Sequence, residues 1–277
     1  MVPSMKQEFA GYSISRTMSG GEMTKLYVAT DARQDRYVLR TLDAVHAKNR
    51  RDRKRFFQGG EIIAKLHSPS FHPNIVPFVK AGVEDGIPYM VLRYVESRTL
   101  RDLILYRDPL LTENVLILVR QLANIVRYVH SRGFLHLDLK PENVLVQPDG
   151  TMVLIDFDCA LPRKRFFKRL PAAPDPSPYT APESVLARLA DDRADIYAFG
   201  VCCYEMLSFH RPFEGEKIEQ VRAARLDPKT PPTPLRQYNP DVPVALANLV
   251  MKCIAKNPDD RYPDMALVVR DLERLAP

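Results

Sequence analysis

The sequence contains no disulfide framework. Its four cysteines, Cys159, Cys202, Cys203 and Cys253, include no C-x-x-C pair, which points to a reducing interior. No run approaches the ~20 apolar residues that a membrane-spanning helix needs. The opening MVPSMKQEFAGYS lacks the basic-then-apolar order of a secretory signal. The expectation is a soluble, cytoplasmic protein. There is no internal repeat. His46, His67, His72, His130 and His210 share no metal-ligand spacing with each other or with the cysteines, so structural histidines are the default. A net charge of +6 is too mild to argue for nucleic acid by itself, though it suits an acidic partner.

What is present is an ordinary globular composition. The 277 residues are 45% hydrophobic and 27% charged, enough for one large domain or two packed lobes with a sizeable core. Residues 24–30, 36–42, 75–83 and 87–95 are β-branched or aromatic runs between polar, glycine or proline breaks, which predicts strands. Residues 51–66 carry a helical pattern weakened by Gly59 and Gly60. A helix is expected over 112–132, with Val115, Leu118, Leu122, Ile125 and Val129 on one stripe, Thr112 as its cap and Gly133 as its left-handed stop. NVLVQ, the turn Pro148-Asp149-Gly150 and TMVLI read as a hairpin. Residues 194–207, apolar nearly all round, predict a buried helix. Amphipathic helices follow at 243–255 and 264–275, and the proline-rich stretches 171–182 and 228–243 read as long loops. The coarse picture is a small β-rich lobe, a connector near 93–97 and a larger helical lobe.

Between the two main helical patterns lies GFLHLDLKPENVLV (133–146), and LIDFD follows the hairpin. Two carboxylates and an amide beyond strand ends suit Mg²⁺, which takes hard oxygen ligands from one or two carboxylates plus substrate phosphates. Phosphoryl transfer needs positioning and charge neutralisation more than covalent chemistry. Asp138 can accept a hydroxyl proton, Lys140 can steady the moving phosphoryl group, and Asn143 and Asp156 can hold metal. The blander reading makes Asp138 and Asn143 a structural turn and Asp156 a cap.

HLDLKPEN, DFD, YTAPE and DIYAFG, in that order, resemble the protein kinase superfamily. The resemblance spans roughly residues 10–275. Lys140, two after the aspartate, is typical of the serine/threonine branch, and LVMKCIAKNPDDRYPDM resembles the bacterial kinases of eukaryotic type. The resemblance implies an α+β, two-lobed fold over residues 10–277: an N-lobe at 10–92, a hinge at 93–97 and a C-lobe at 98–277. It implies ATP and Mg²⁺ as cofactors, with Asp138 as catalytic base and Asn143 and Asp156 as metal ligands. Leu145 would lie under the adenine, Leu92 at the gatekeeper position, and Arg93, Tyr94 and Val95 at the hinge, offering backbone groups. Gly20, Gly21, Leu26, Val38 and Arg40 complete the implied nucleotide site. Glu183 should pair with Arg261, and Asp195 should brace the catalytic loop.

Several positions depart from the family pattern. SGGEMTKL (19–26) keeps only the middle glycine of the Gly-rich loop, Gly21, and Thr24 would crowd the loop; a plain hairpin turn is the other reading. The strand lysine is replaced by Arg40, either a phosphate contact or a solvated strand residue. The partner glutamate position falls on Gly59. Glu61 lies about 200° further round the helix, so it serves after a helix distortion or faces elsewhere. DFG has become Asp156-Phe157-Asp158, where the added aspartate binds a cation or caps a turn. H-R-D has become His136-Leu137-Asp138. The arginine that receives a loop phosphate is missing, and residues 159–176 contain no Ser, Thr or Tyr, so control by loop phosphorylation is not expected. Pro176 stands where a threonine is usual. Lys25 is a weak candidate to replace the missing lysine.

The expected function is therefore transfer of the ATP γ-phosphate to protein hydroxyls, with weak nucleotide affinity or slow turnover. The alternative is a pseudokinase, a nucleotide-binding or scaffold module. The basic stretches HAKNRRDRKRFF (46–57) and RKRFFKR (163–169) read as solvated faces or as docking surfaces for an acidic partner, ahead of nucleic acid. The sequence sets no oligomeric state.

Overall fold

A computed structural model describes residues 8–18, 20–21, 23–163, 168–170 and 177–275. The chain divides into two compact units: residues 1–96 with 155–159, and residues 97–154 with 160–277. The first is β-rich and the second helical, an α+β composition.

The first unit is built on a six-stranded antiparallel sheet. Its strands are β1 (Glu8–Phe9), β2 (Tyr12–Met18), β3 (Thr24–Thr30), β4 (Arg36–Leu42), β5 (Phe78–Glu84) and β6 (Ile87–Arg93), in the order β1-β2-β3-β4-β6-β5. Register decides which side chains share a face, because opposed residues in an antiparallel pair point the same way. Tyr27, Leu39 and Val91 are opposed across β3, β4 and β6, and they sit in a buried cluster with Tyr12, Ala29 and Tyr37. The other face carries Leu26, Arg40 and Met90 in one row and Val28, Val38 and Leu92 in the next. The strand expected over 75–83 starts only at Phe78. Ile75 and Val76 are buried outside the sheet, with the Val76 carbonyl 3.0 Å from His67 Nε2.

Two helices complete this unit, α1 (Ala44–Lys48) and α2 (Arg50–Leu66). Asp43 caps the first, accepting from Val45 N, and Asn49 caps the second, accepting from Arg51 N and Asp52 N; these short polar side chains satisfy the orphan amides of a first turn. Helix α2 runs unbroken through Gly59 and Gly60, so of the two readings of Glu61 the one that needs a helix distortion is not met. The glycines serve close approach instead: a Cβ on Gly60 would lie 3.0 Å from both Met90 Cε and Phe78 Cε2.

The second unit opens with β7 (Arg98–Thr99), α3 (Leu100–Leu105), α4 (Pro109–Thr112) and α5 (Val115–Ser131). A capping box of Thr99 and Asp102 starts α3. Thr112 does not cap α5: it ends α4, whose cap is Asp108, and Asn114 holds the N-cap position of α5. Proline at the first position of α4 is compatible with a helix start, and the expected helix is continuous but begins at Val115. Gly133 takes φ 84° as expected. Then come β8 (Phe134–Leu135), β9 (Val144–Val146) and β10 (Met152–Leu154), the last two pairing as the hairpin, with β7 on the far side of β9.

The remaining elements are β11 (Leu161–Pro162), β12 (Lys168–Arg169), α6 (Pro182–Leu186), β13 (Leu189–Ala190), α7 (Asp192–Ser208), α8 (Ile218–Leu226), α9 (Leu235–Tyr238), α10 (Val244–Cys253) and α11 (Met265–Glu273). Helix α7 is buried on nearly every side, as its composition predicts. Gly200 lets α10 approach it: a Cβ there would sit 2.7 Å from Cys253 Cβ. The stretch 228–243 is not all loop, since α9 lies in it, and Pro182 opens α6. Glu183 and Arg261 form the expected pair, forked at 2.8 and 2.9 Å. Arg261 also donates to the carbonyls of Ala255, Arg193 and Lys256, and its side chain is fully buried. Removing it strands a carboxylate and three carbonyls. Arg261→Ala is therefore expected to lower the unfolding free energy by about 3–5 kcal/mol, measured by urea titration.

Candidate functional site

The candidate residues are divided between the two units, and each half has its own frame. In the β-rich unit, the sheet register puts Leu26, Val38, Arg40 and Leu92 on one face. Three of these are apolar and suit a flat aromatic ligand; one is a cation. Gly20 and Gly21 are exposed between β2 and β3. A Cβ on Gly20 would run into the Thr24 carbonyl, whereas one on Gly21 would meet nothing within 4 Å. Gly20 is thus a requirement of the hairpin itself, and Gly21 is the position with open space. Ser19 and Glu22, in the same loop, lie outside the described residues. Lys25 pairs with Asp43 at 3.2 Å, which does not support it as a substitute lysine.

Arg40 is neither solvated nor a lone cation. Its Nη1 and Nη2 donate to Asp158 Oδ1 and Oδ2 at 2.9 and 2.8 Å, and Nη2 lies 3.4 Å from Asp156 Oδ1. The Arg40 side chain is 11% exposed and that of Asp158 only 6%. Burial opposes the guanidinium charge, but Asp158 and then Asp156 outweigh it and raise the Arg40 pKa. Burial pushes the Asp158 carboxyl up to about 6, against the pull of Arg40 and with Asp156 adding to the rise. The pair is ionised at neutral pH. Asp156 adopts φ 58° and keeps a third of its side chain exposed. Arg55, which reads from sequence as part of a solvated basic face, donates Nε to the Asp158 carbonyl at 3.0 Å and contacts Cys159. In the same stretch His46 pairs with Asp52 and Arg53 bonds the Ala47 carbonyl, so that face is partly structural. Glu61 is exposed and faces elsewhere.

At residues 93–95, the expected hinge, one backbone group is already paired. The Tyr94 amide donates to the Arg36 carbonyl at 3.2 Å, so it is committed within the sheet. The Tyr94 ring carries the Arg36 guanidinium at 3.9 Å. Val95, partly exposed, follows it.

In the helical unit, the loop 136–143 is held from below. Asp195, on α7 and fully buried, accepts from His136 N at 2.8 Å and Leu137 N at 2.7 Å, and its Oδ2 lies 2.8 Å from His130 Nε2. Burial works to raise the Asp195 pKa, but the His130 hydrogen bond and the loop amides outweigh it and hold it below 3.8. Leu137 is thereby kept at φ 63°, a backbone state that a branched side chain rarely adopts. The loop then presents Asp138, whose carboxylate receives Lys140 Nζ at 2.9 and 3.1 Å and Asn143 Nδ2 at 3.0 Å. Asn143 Nδ2 also donates to the Asp138 carbonyl at 2.8 Å. With the amide nitrogen so engaged, its oxygen is the atom left for a cation. A carboxylate oxygen from Asp156 and an amide oxygen from Asn143 are hard donors that fit Mg²⁺. Leu145 lies on β9, opposed to Val153 and Thr99.

Two clusters went unread in the sequence. Arg163 forks onto Asp192 at 2.7 and 2.5 Å, a tether that involves no phosphate. Glu205, on α7, receives Tyr179 OH at 2.5 Å and Arg211 Nε at 2.8 Å, with Arg101 beside them. Of the three hydroxyls left near the segment, Tyr179 is therefore buried and bonded, and those of Ser177 and Thr180 lie 3.0 Å apart. Phe166, Phe167 and Pro176, with most of RKRFFKR, lie outside the described residues. The co-occurrence of three departures at Arg40, Gly59 and Asp158 was the one available signal that they answer each other.

The protein kinase domain profile matches residues 12–270. The chain belongs to the protein kinase family. It is 31% identical to the serine/threonine-protein kinase PrkC of Bacillus subtilis (strain 168), over 91% of this chain and 38% of that protein. It is 30% identical to the serine/threonine-protein kinase PknL of Mycobacterium bovis, over 96% of this chain and 65% of that protein. To the serine/threonine-protein kinase PknD of Mycobacterium tuberculosis (strain H37Rv) it is 30% identical, over 98% of this chain and 41% of that protein. The chain thus spans between 38% and 65% of the length of these relatives.

Asp195→Asn turns an acceptor oxygen into a donor facing the amides of His136 and Leu137, and should cost about 1–3 kcal/mol of stability. Because the Asp195 pKa is depressed in the fold, its contribution is full above the ordinary value of 3.8 and lost as pH falls below it. The stability gap between native and variant should therefore be constant from neutral pH down and narrow under acid, read by urea unfolding across pH.

Proposed function

We propose that this chain is the catalytic domain of a serine/threonine kinase, transferring the γ-phosphate of ATP to protein hydroxyls. Residues 10–277 act as one kinase domain, with 93–97 as its hinge. The observation that carries the reading is the Asp138 carboxylate, held between Lys140 Nζ and Asn143 Nδ2. A carboxylate so placed accepts the proton of an incoming hydroxyl, and Lys140 steadies the charge on the transferring group. Asn143 and Asp156 are the residues that would hold Mg²⁺, which when bound would neutralise phosphate charge. Leu26, Val38, Leu92 and Leu145 supply apolar surface for adenine, and Arg40 supplies the cation for phosphate.

The alternative of a binding module without transfer drew on Arg40, Gly59 and Asp158. That set does not strip the site of charge balance. One guanidinium and two carboxylates, Arg40 with Asp158 and Asp156, leave a single net negative charge for a divalent ion to meet. A lysine with a helix glutamate and the same Asp156 would leave the same. All four cysteines are free, and among the described residues no helix is long and apolar enough to cross a membrane. These suit a cytoplasmic domain supplied with ATP. The partner is a protein substrate, and the exposed basic residues of α2, such as Arg50 and Lys54, favour an acidic one.

Asp138→Asn keeps the shape and removes the base. Transfer of labelled γ-phosphate to a generic protein substrate should fall about 10²- to 10⁴-fold, with Mg-ATP binding by calorimetry little changed. Equal phosphate transfer by native and variant would overturn the assignment.

A further inference from the structure

Helix α2 offers the segment 156–158 a recess and a hook. The recess is Gly59: a Cβ there would lie 2.6 Å from Asp158 Oδ1 and 3.3 Å from Asp158 N, so a larger residue would push the carboxylate away. The hook is Arg55, one turn earlier, on the Asp158 carbonyl. Seated there, Asp158 meets Arg40 with both oxygens. The helix supplies space but no acid to Arg40: Glu61 is exposed and Asp52 is paired with His46.

We infer that Asp158 is the positioning residue that aims the Arg40 guanidinium at the nucleotide phosphates, and that Gly59 is the seat it requires. This rests on the ATP-dependent reading above. The acid that orients the cation thus comes from the same five-residue segment as Asp156, not from α2. Arg40 Nη2 touches Asp158 at 2.8 Å and faces Asp156 at 3.4 Å, so one nitrogen registers both carboxylates. Lysine has no planar fork to do this. The arginine, the glycine and the aspartate are mutual requirements: a carboxylate one methylene shorter than glutamate, reached by a longer cation, with the helix side chain removed to admit it.

The test uses the full chain and the variants Gly59→Ala, Asp158→Gly, their double, and Asp158→Asn. Thermal melting is run without nucleotide. Gly59→Ala should lower Tm in the native background by displacing Asp158. In the Asp158→Gly background the loss should be much smaller, because only the backbone of Phe157 and Asp158, 3.3 Å away, still meets the added methyl. An equal loss in both backgrounds would overturn the seat. Calorimetry then compares Mg-ATP with adenosine, which has no phosphates. Asp158→Asn should weaken Mg-ATP about ten- to a hundredfold, the loss of a charge-assisted contact, and leave adenosine unchanged. Equal weakening of both ligands, or of neither, would overturn the positioning role. A native chain that binds neither ligand would instead sink the kinase reading, and the thermal cycle would still decide the seat.

Discussion

The β-rich unit is organised around one buried ion pair. A guanidinium and a carboxylate removed from water each carry a desolvation cost of several kcal/mol, which good geometry and further hydrogen bonds must offset. Arg40 and Asp158 meet that condition with a two-bond fork. Much else follows from it. Gly59 has no side chain because Asp158 fills the space. Arg55 is drawn into the fold to hold the Asp158 carbonyl. Asp156 is fixed within reach of a cation.

The helical unit solves a different problem, that of holding a short loop in a strained shape. Leu137 sits in the left-handed region because Asp195 captures its amide together with that of His136. A buried carboxylate accepting several N–H groups is strongly oriented. The loop is thereby held by buried hydrogen bonds, and Asp138 is presented with its two donors already in place. Arg163 on Asp192 and Tyr179 on Glu205 fix the flanking segment through ion pairing and burial. These contacts involve no phosphate.

Legibility varied by element for physical reasons. Strands 24–30 and 36–42 were readable to the residue because β-branched runs end at turn formers. Helix α7 was readable because it is apolar on all sides. Thr112 was misread as a cap because Asp108 followed by Pro109 is also a sound helix start, and local signals do not rank two adjacent starts. The proline-rich 228–243 hid α9, a single turn whose Leu235 is buried. The contacts among Asp138, Lys140 and Asn143 follow from spacing along one loop, and Asp195 on α7 holds the amides of His136 and Leu137 in that loop. The bond from the Tyr94 amide to the Arg36 carbonyl was not legible, since Arg36 is far away in sequence.

By itself, the sequence determined the α+β class, the order of the elements and the contacts within the loop 136–143, all of which depend on neighbours a few residues apart. It also showed that Arg40, Gly59 and Asp158 were unusual, but read each as a separate loss. Only the tertiary structure decided that they form one contact. The reason is distance along the chain: the Arg40–Asp158 pair joins residues 118 positions apart. No local propensity or period carries that information, and it exists only once the sheet, the helix and the segment after β10 are packed together.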